Sequence, residues 1–183
     1  MQPLRPGATA ITLDAMDDRA RSPEPHVVDA FWADARVRSG LAGEEIYQGR
    51  SSAAALCPPA WAFGDSRRMA DELCRLVLDG TKTATAGAWW EFGDEPLPDA
   101  GELSIVCDGD GRPRALLRLT RVRRVRFDEV DAEHARAEGE GDRSLESWRR
   151  DHQAFFERID DGEHPFRPDM EVVLQEFEVL ARA

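Results

Sequence analysis

The stretch from Glu102 to Arg126 constrains this chain most. Glu102 to Cys107 alternates, with Leu103, Ile105 and Cys107 on one face, the period of a half-buried strand. Asp108-Gly109-Asp110-Gly111 follows as a hairpin turn signal. Arg112 to Arg126 is the returning strand. Its apolar parity shifts between Leu119 and Val122, which predicts a bulge. Antiparallel sheet is therefore the framework, and the remaining elements have to be arranged around it.

Trp61-Ala62-Phe63 reads as a short strand, and Gly64-Asp65-Ser66 as a turn with an N-cap for the next helix. Met69, Leu73, Leu76 and Val77 form that helix's apolar stripe, and Gly80 is placed to end it. Phe127 to Glu138 reads as a short helix closed by Gly139. Ser144 caps another, with Leu145, Trp148, His152, Phe155, Phe156 and Ile159 along one face. Met170 to Leu180 is a final strand rich in valine. Strands mixed with helices predict an α+β fold with a curved sheet or small barrel. Residues 26–41 carry a helical pattern, and 42–59 are a connector rich in Gly, Ser and Pro. Residues 1–25 lack periodicity and form a loosely organised N-terminal segment. The main domain thus spans 60–183.

At 183 residues the chain suits one well-buried domain. Its net charge of -12 opposes coating of long nucleic acid, and duplex DNA is not an expected partner. It has no apolar run of the roughly 18 residues a membrane span needs. Its first residues lack the apolar core of a secretory signal, and its three cysteines, Cys57, Cys74 and Cys107, lack CxxC spacing. The expectation is reduced thiols and a cytoplasmic location.

Charge is unevenly placed. Seven arginines and no acid lie between 112 and 126, whereas Phe127 to Glu146 carries eight acids and two arginines. A basic strand can follow phosphates, or its arginines can balance the neighbouring acids. Both outcomes are expected, some arginines paired and some left for a ligand.

Of the 24 basic residues, 23 are arginine and one is Lys82. Either a single lysine has survived by chance, or this position requires a compact amine that arginine cannot supply. Lys82 lies in Gly80-Thr81-Lys82-Thr83-Ala84-Thr85, where an amine beside hydroxyls can move a proton or hold an oxyanion. The plainer reading is an exposed loop after a helix. Glu138 sits at a helix C-terminus, where the dipole should raise its pKa toward that of a general acid or base. Glu140 and Asp142 read as solvated turn residues. His134 and Glu138 are four apart on one helix face, but no third metal ligand is suitably spaced, so neither metal nor cofactor is expected. Trp89 and Trp90 can stack bases, though at least one should belong to the core.

Together these residues resemble the ASCH domain family, a branch of the PUA-like superfamily. The matching pieces are Phe63-Gly64-Asp65-Ser66, Gly80 to Thr85, the hairpin at Asp108-Gly109, and Glu138 to Trp148, within about residues 60–181. The resemblance implies a PUA-like small β-barrel with flanking helices around a cleft, here carrying an N-terminal helical extension. It also implies recognition of single-stranded RNA, a nucleotide or a modified nucleoside. Some members resemble amidohydrolases that deacetylate acetylcytidine, and others are described as ribonucleases. The amidohydrolase type implies catalysis by Lys82, Thr85 and Glu138. That type often has an arginine two residues after the threonine. Gly87 stands there in this chain, so an arginine of the basic strand would have to replace it. Thr83, Trp89, Trp90, Arg121, Arg123 and Arg143 complete the expected substrate contacts.

The expected activity is hydrolysis, with Thr85 attacking or positioning water, Lys82 activating it and holding the oxyanion, and Glu138 moving the proton. The alternatives are an RNA-binding module without chemistry and a regulatory domain that meets a protein partner through its acidic face. The oligomeric state is left open.

Overall fold

The computed structural model describes residues 18–41, 56–93, 96–160 and 162–183. The readings made for 1–17 and 42–55 lie outside these. Five strands form one curled half-barrel sheet, and four helices pack around it among the described residues. The expected α+β architecture is present. The strands are β1 (Ala60–Ala62), β2 (Ala84–Ala88), β3 (Leu103–Cys107), β4 (Pro113–Arg126) and β5 (Glu171–Arg182). The helices are α1 (Pro25–Arg38), α2 (Arg67–Leu78), α3 (Ala132–Glu138) and α4 (Leu145–Ile159).

The predicted hairpin is the centre of the sheet, whose order is β1-β3-β4-β5-β2. β4 pairs antiparallel with β3 and, from Ala115 to Arg126, with β5. Register shifts fall at Leu116/Leu117 and Leu119/Arg121, the second where the apolar parity changes. Such bulges sharpen twist and bend the strand, which curls the sheet. β1 runs parallel to β3, and β2 closes the far edge against β5.

Both faces of the hairpin are covered, so its side chains alternate between two cores. Val106, Ala115 and Leu117 meet Leu73, Cys74 and Val77 of α2. Ile105, Cys107 and Leu116 meet Val28, Trp32 and Ala35 of α1. The N-terminal helical extension is thus part of the packed structure. A third cluster joins Trp148 and Phe156 of α4 to Phe127, Val172 and Leu174.

Local signals set most helix ends. The Ser66 hydroxyl accepts the Met69 N–H at 3.3 Å to start α2, and the Ser144 hydroxyl accepts the Ser147 N–H at 3.1 Å to start α4. The stretch 127–138 differs from the reading of one helix. Phe127–Glu129 is a 3₁₀ turn, and α3 begins only after Asp131, which accepts the His134 N–H at 2.8 Å. β2 was not apparent as a strand in the sequence. No helix of the described residues is long and apolar enough to cross a membrane.

Candidate active site

Two helix ends bring the site together. Beyond α2, Gly80 adopts φ 75°, and the Thr81 and Lys82 N–H groups both bond the Leu76 carbonyl, at 2.9 and 3.0 Å. This wraps the chain over the helix end and turns Lys82 inward. The Thr83 N–H then bonds the Ala137 carbonyl of α3 at 2.8 Å, tying the Lys82 segment to the end of the second helix. Gly139 follows α3 with φ 74°, and a Cβ there would collide with the Thr81 carbonyl. That close approach and the left-handed turn require glycine. They carry Glu140 back toward Lys82.

Lys82 is consequently desolvated, with 1% exposure. Its Nζ donates to Glu138 Oε2 at 3.0 Å and to Glu140 Oε1 at 2.6 Å, and lies 5.2 Å from the Phe63 ring centroid. The exposed-loop reading of Lys82 is therefore incorrect. Glu138 is equally buried and densely bonded. Its Oε1 accepts Trp148 Nε1–H at 2.7 Å and His134 Nε2–H at 3.1 Å. His152 Nε2 lies 3.4 Å from the same oxygen, and His152 Nδ1–H donates to the Trp148 carbonyl at 3.0 Å. The His152 ring stacks on Trp148 with centroids 4.1 Å apart.

Electrostatics follow from this geometry. Burial would push the Glu138 carboxyl up, but Lys82, His152 and the His134 hydrogen bond outweigh it and hold Glu138 well below the usual carboxylate range. Burial would likewise lower Lys82, yet Glu138 and Glu140 raise it. The pair is a carboxylate and an ammonium. This corrects the expectation that a helix C-terminus would raise Glu138: the Lys82 ammonium and the Trp148 and His134 donors in direct contact outweigh the dipole of a seven-residue helix. Lys82 in this resting state is suited to holding an oxyanion.

A cleft reaches the cluster. An outer cavity of about 430 Å³ is walled by Trp61, Phe63, Phe155 and Phe177, with Glu91 and Glu102 at its polar margin. It adjoins an inner cavity of about 90 Å³ that reaches Glu138, Glu140, Asp151 and His152. Thr85 and Ala86 of β2 line both. Lys82, Thr85 and Glu138 are thus brought to one region, with Lys82 behind the inner wall. Gly87 lines the outer cavity, and among the described residues no arginine or lysine lines either one. The described arginines of β4 lie outside both linings.

The other expected contacts lie elsewhere. Thr83 is exposed, its hydroxyl 3.3 Å from the Ala137 carbonyl. Trp89 lies under the Arg124 guanidinium at 3.5 Å, and Trp90 packs on Phe156 and stacks on His164. Arg143 is exposed at φ 63° beyond the cleft lining. Arg121 pairs with Glu176 at 3.5 Å, and Arg123 with Asp131 at 3.5 Å and Glu176 at 3.8 Å. Every other arginine of the basic stretch also has a carboxylate: Arg112 has Asp110, Arg114 Asp108, Arg118 Glu178, Arg124 Glu171 and Arg126 Asp128. The expectation that some would be left unpaired does not hold, because β5 and the flanking turns supply acids across the sheet.

Two further groups were not anticipated from sequence. Glu140 contacts Lys82, and His152 lines the inner cavity. Glycines around Glu140 were the available signal for the first, and the apolar stripe of α4 concealed the second. Burial pushes the Cys74 thiol up to about 11 and the Cys107 thiol up to about 12, so neither is a nucleophile at neutral pH. Among the described residues no three His, Cys, Asp or Glu side chains are grouped to hold a metal ion.

Comparison with known proteins bears on the family and the fold. The family model of the ASCH domain matches residues 59–181. A crystal structure of an ASCH domain from Lactobacillus crispatus is similar at 30% identity and TM-score 0.64, over 78% of this chain and 94% of that one. A crystal structure of an Enterococcus faecalis protein is similar at 32% identity and TM-score 0.68, over 85% of this chain and 89% of that one. No curated protein matches. With the motif, the sheet and the matched span in agreement, this chain belongs to the ASCH domain family.

Proposed function

We propose that this protein is a hydrolase that cleaves the amide of an acylated, cytidine-type nucleoside. The observation that carries this reading is the burial of the chain's only lysine between two carboxylates at the end of an aromatic cleft. A buried ammonium is costly to maintain as packing alone. It has a use where negative charge develops on an acyl oxygen, because its field is strong in a water-poor site. Thr85, on the wall shared by both cavities, positions the attacking water. The outer cavity's aromatic walls suit a flat base.

The cleft lining favours a nucleoside over RNA. Among the described residues its charged side chains are all acidic, and the arginines of β4 are engaged with carboxylates. A polyanion would meet like charge there.

The test is turnover of N4-acetylcytidine by the purified protein, followed chromatographically, beside binding of a short single-stranded RNA. Release of cytidine and acetate is the expected result. Lys82→Arg keeps the charge but cannot fit the compact site, and should lower kcat by roughly 100-fold or more. RNA binding without turnover would replace the enzyme reading with that of a binding module.

A further inference from the structure

We propose that Gln175 is the side chain that reads the acylated edge of the base, an assignment that rests on the hydrolase reading above and narrows its substrate class. The floor of the outer cavity is one face of the sheet. Residues directly opposed in an antiparallel pair share a face, as does every second residue along a strand. The register opposes Gln175 to Thr85, Leu119 to Phe177 and Leu117 to Ser104, and all six line the outer cavity. Leu117, Leu119 and Phe177 make this floor apolar at its centre, so its polar groups stand at the two ends.

The sheet order separates those ends. From β3 through β4 and β5 to β2, Gln175 is one strand away from Thr85 and Ser104 is three. At about 4.8 Å per strand, that is about 5 Å against about 14 Å. Gln175 is thus the neutral polar group beside the threonine that positions water. Its carboxamide is half-buried and makes no hydrogen bond among the described residues. The acids at the margin are already committed at one oxygen. Glu91 Oε2 accepts the Ala88 N–H at 2.8 Å, and Glu102 Oε1 accepts the Asp99 N–H at 2.9 Å. An amide that loses water without gaining a partner costs free energy, and a ligand that bonds it removes that cost.

An N4-acylcytidine presents an N4–H donor beside the N3 acceptor. A carboxamide carries an acceptor and a donor in one plane, so Oε1 takes N4–H while Nε2–H reaches N3. Held by its hydrogen, N4 brings the acyl carbon bonded to it next to Thr85. The sugar then extends toward β3, where Ser104 and Glu102 meet its hydroxyls. The aromatic walls stack on the ring without reading its edge. The same donor–acceptor edge occurs in an N6-acylated adenine and is missing from a simple anilide. The substrate class is therefore an N-acylated amine on a ring carbon next to a ring nitrogen.

The experiment measures kcat/KM on N4-acetylcytidine and on its 3-deaza analogue, in which C–H replaces N3, for wild type, Gln175→Met and Gln175→Glu. Affinities for the same two compounds are read from tryptophan fluorescence, since Trp61 lines the cavity. Wild type should prefer N4-acetylcytidine by roughly 10-fold or more. Gln175→Met keeps the length of the side chain without its hydrogen bonds, and should cut that preference to within about threefold. Gln175→Glu, nearly the same shape, keeps an acceptor for N4–H but sets an oxygen against N3, and should reverse the preference. A wild-type protein that does not distinguish the two compounds, or a preference that survives in Gln175→Met, would overturn the assignment. Absence of wild-type turnover would remove the hydrolase reading, and the ratio of affinities would still decide the role of Gln175. A protein that binds neither compound would overturn both.

Discussion

Replacing Lys82 by Met removes the ammonium but keeps much of the side chain's volume. At 3.0 Å from Glu138, unit charges attract by about 5–6 kcal/mol at an effective dielectric constant near 20. The loss is offset in part because Trp148 and His134 still donate to Glu138. The remaining cost is that of breaking one side of a buried pair, about 3–5 kcal/mol. For a chain of this size that lowers Tm by roughly 6–20 °C. Glu138→Gln should cost less, since Glu140 still pairs with Lys82 at 2.6 Å. The double variant should be more stable than the sum of the singles predicts, by about 1–3 kcal/mol. Urea melts at pH 7 measure all four proteins. The pH dependence has two arms. Glu138 is depressed, so its contribution is full above its ordinary value of 4.5 and fades as pH falls through the folded value. Lys82 is raised, so its contribution is full below 10.5 and fades as pH climbs through the folded value. Both arms should flatten in the double variant. Single variants within about 1 kcal/mol of wild type, or strict additivity, would refute the coupled buried pair.

Gly139→Ala puts a Cβ against the Thr81 carbonyl at φ 74°, and should cost at least about 1–3 kcal/mol in urea melts while displacing Glu140 and reducing turnover. Replacing Arg121 and Arg123 together by Ala should leave affinity for a short single-stranded RNA within about threefold in a fluorescence titration, because both already pair with carboxylates. A large loss there would restore the basic strand as a phosphate track. Ser66→Ala removes the α2 cap and should cost about 1 kcal/mol by thermal melt.

Elements whose cause is local were legible in the sequence. The β3–β4 turn, the Ser66 and Ser144 caps, the stripe of α4 and the bulge near Leu119 each depend on residues a few positions apart. β2 was not legible because Ala84-Thr85-Ala86-Gly87-Ala88 lacks the branched and aromatic residues that mark strands. It is a strand because β5 offers it a partner, from Ala84↔Glu176 to Ala88↔Val172. Long-range pairing also decided the charges. Arg118, Arg121 and Arg124 look unaccompanied along the chain, but the sheet sets Glu178, Glu176 and Glu171 of β5 beside them.

The site divides in the same way. That Lys82 and Glu138 meet was expected only through the family motif, since 56 residues separate them. Their shared environment could not be read from either segment. Along its own chain Glu138 showed the helix dipole, which pointed to a raised pKa, and His134 one turn back. The decisive partners are Lys82 from the loop after α2 and Trp148 and His152 from α4. Glu140 shows the same limit. Along the chain it reads as a solvated turn residue, yet the backbone that comes close to Gly139 is the chain's own, at Thr81. The glycine therefore serves assembly of the site. By letting the Thr81 carbonyl approach, it brings the end of α3 against the Lys82 segment and returns Glu140 to the ammonium that Glu138 already holds.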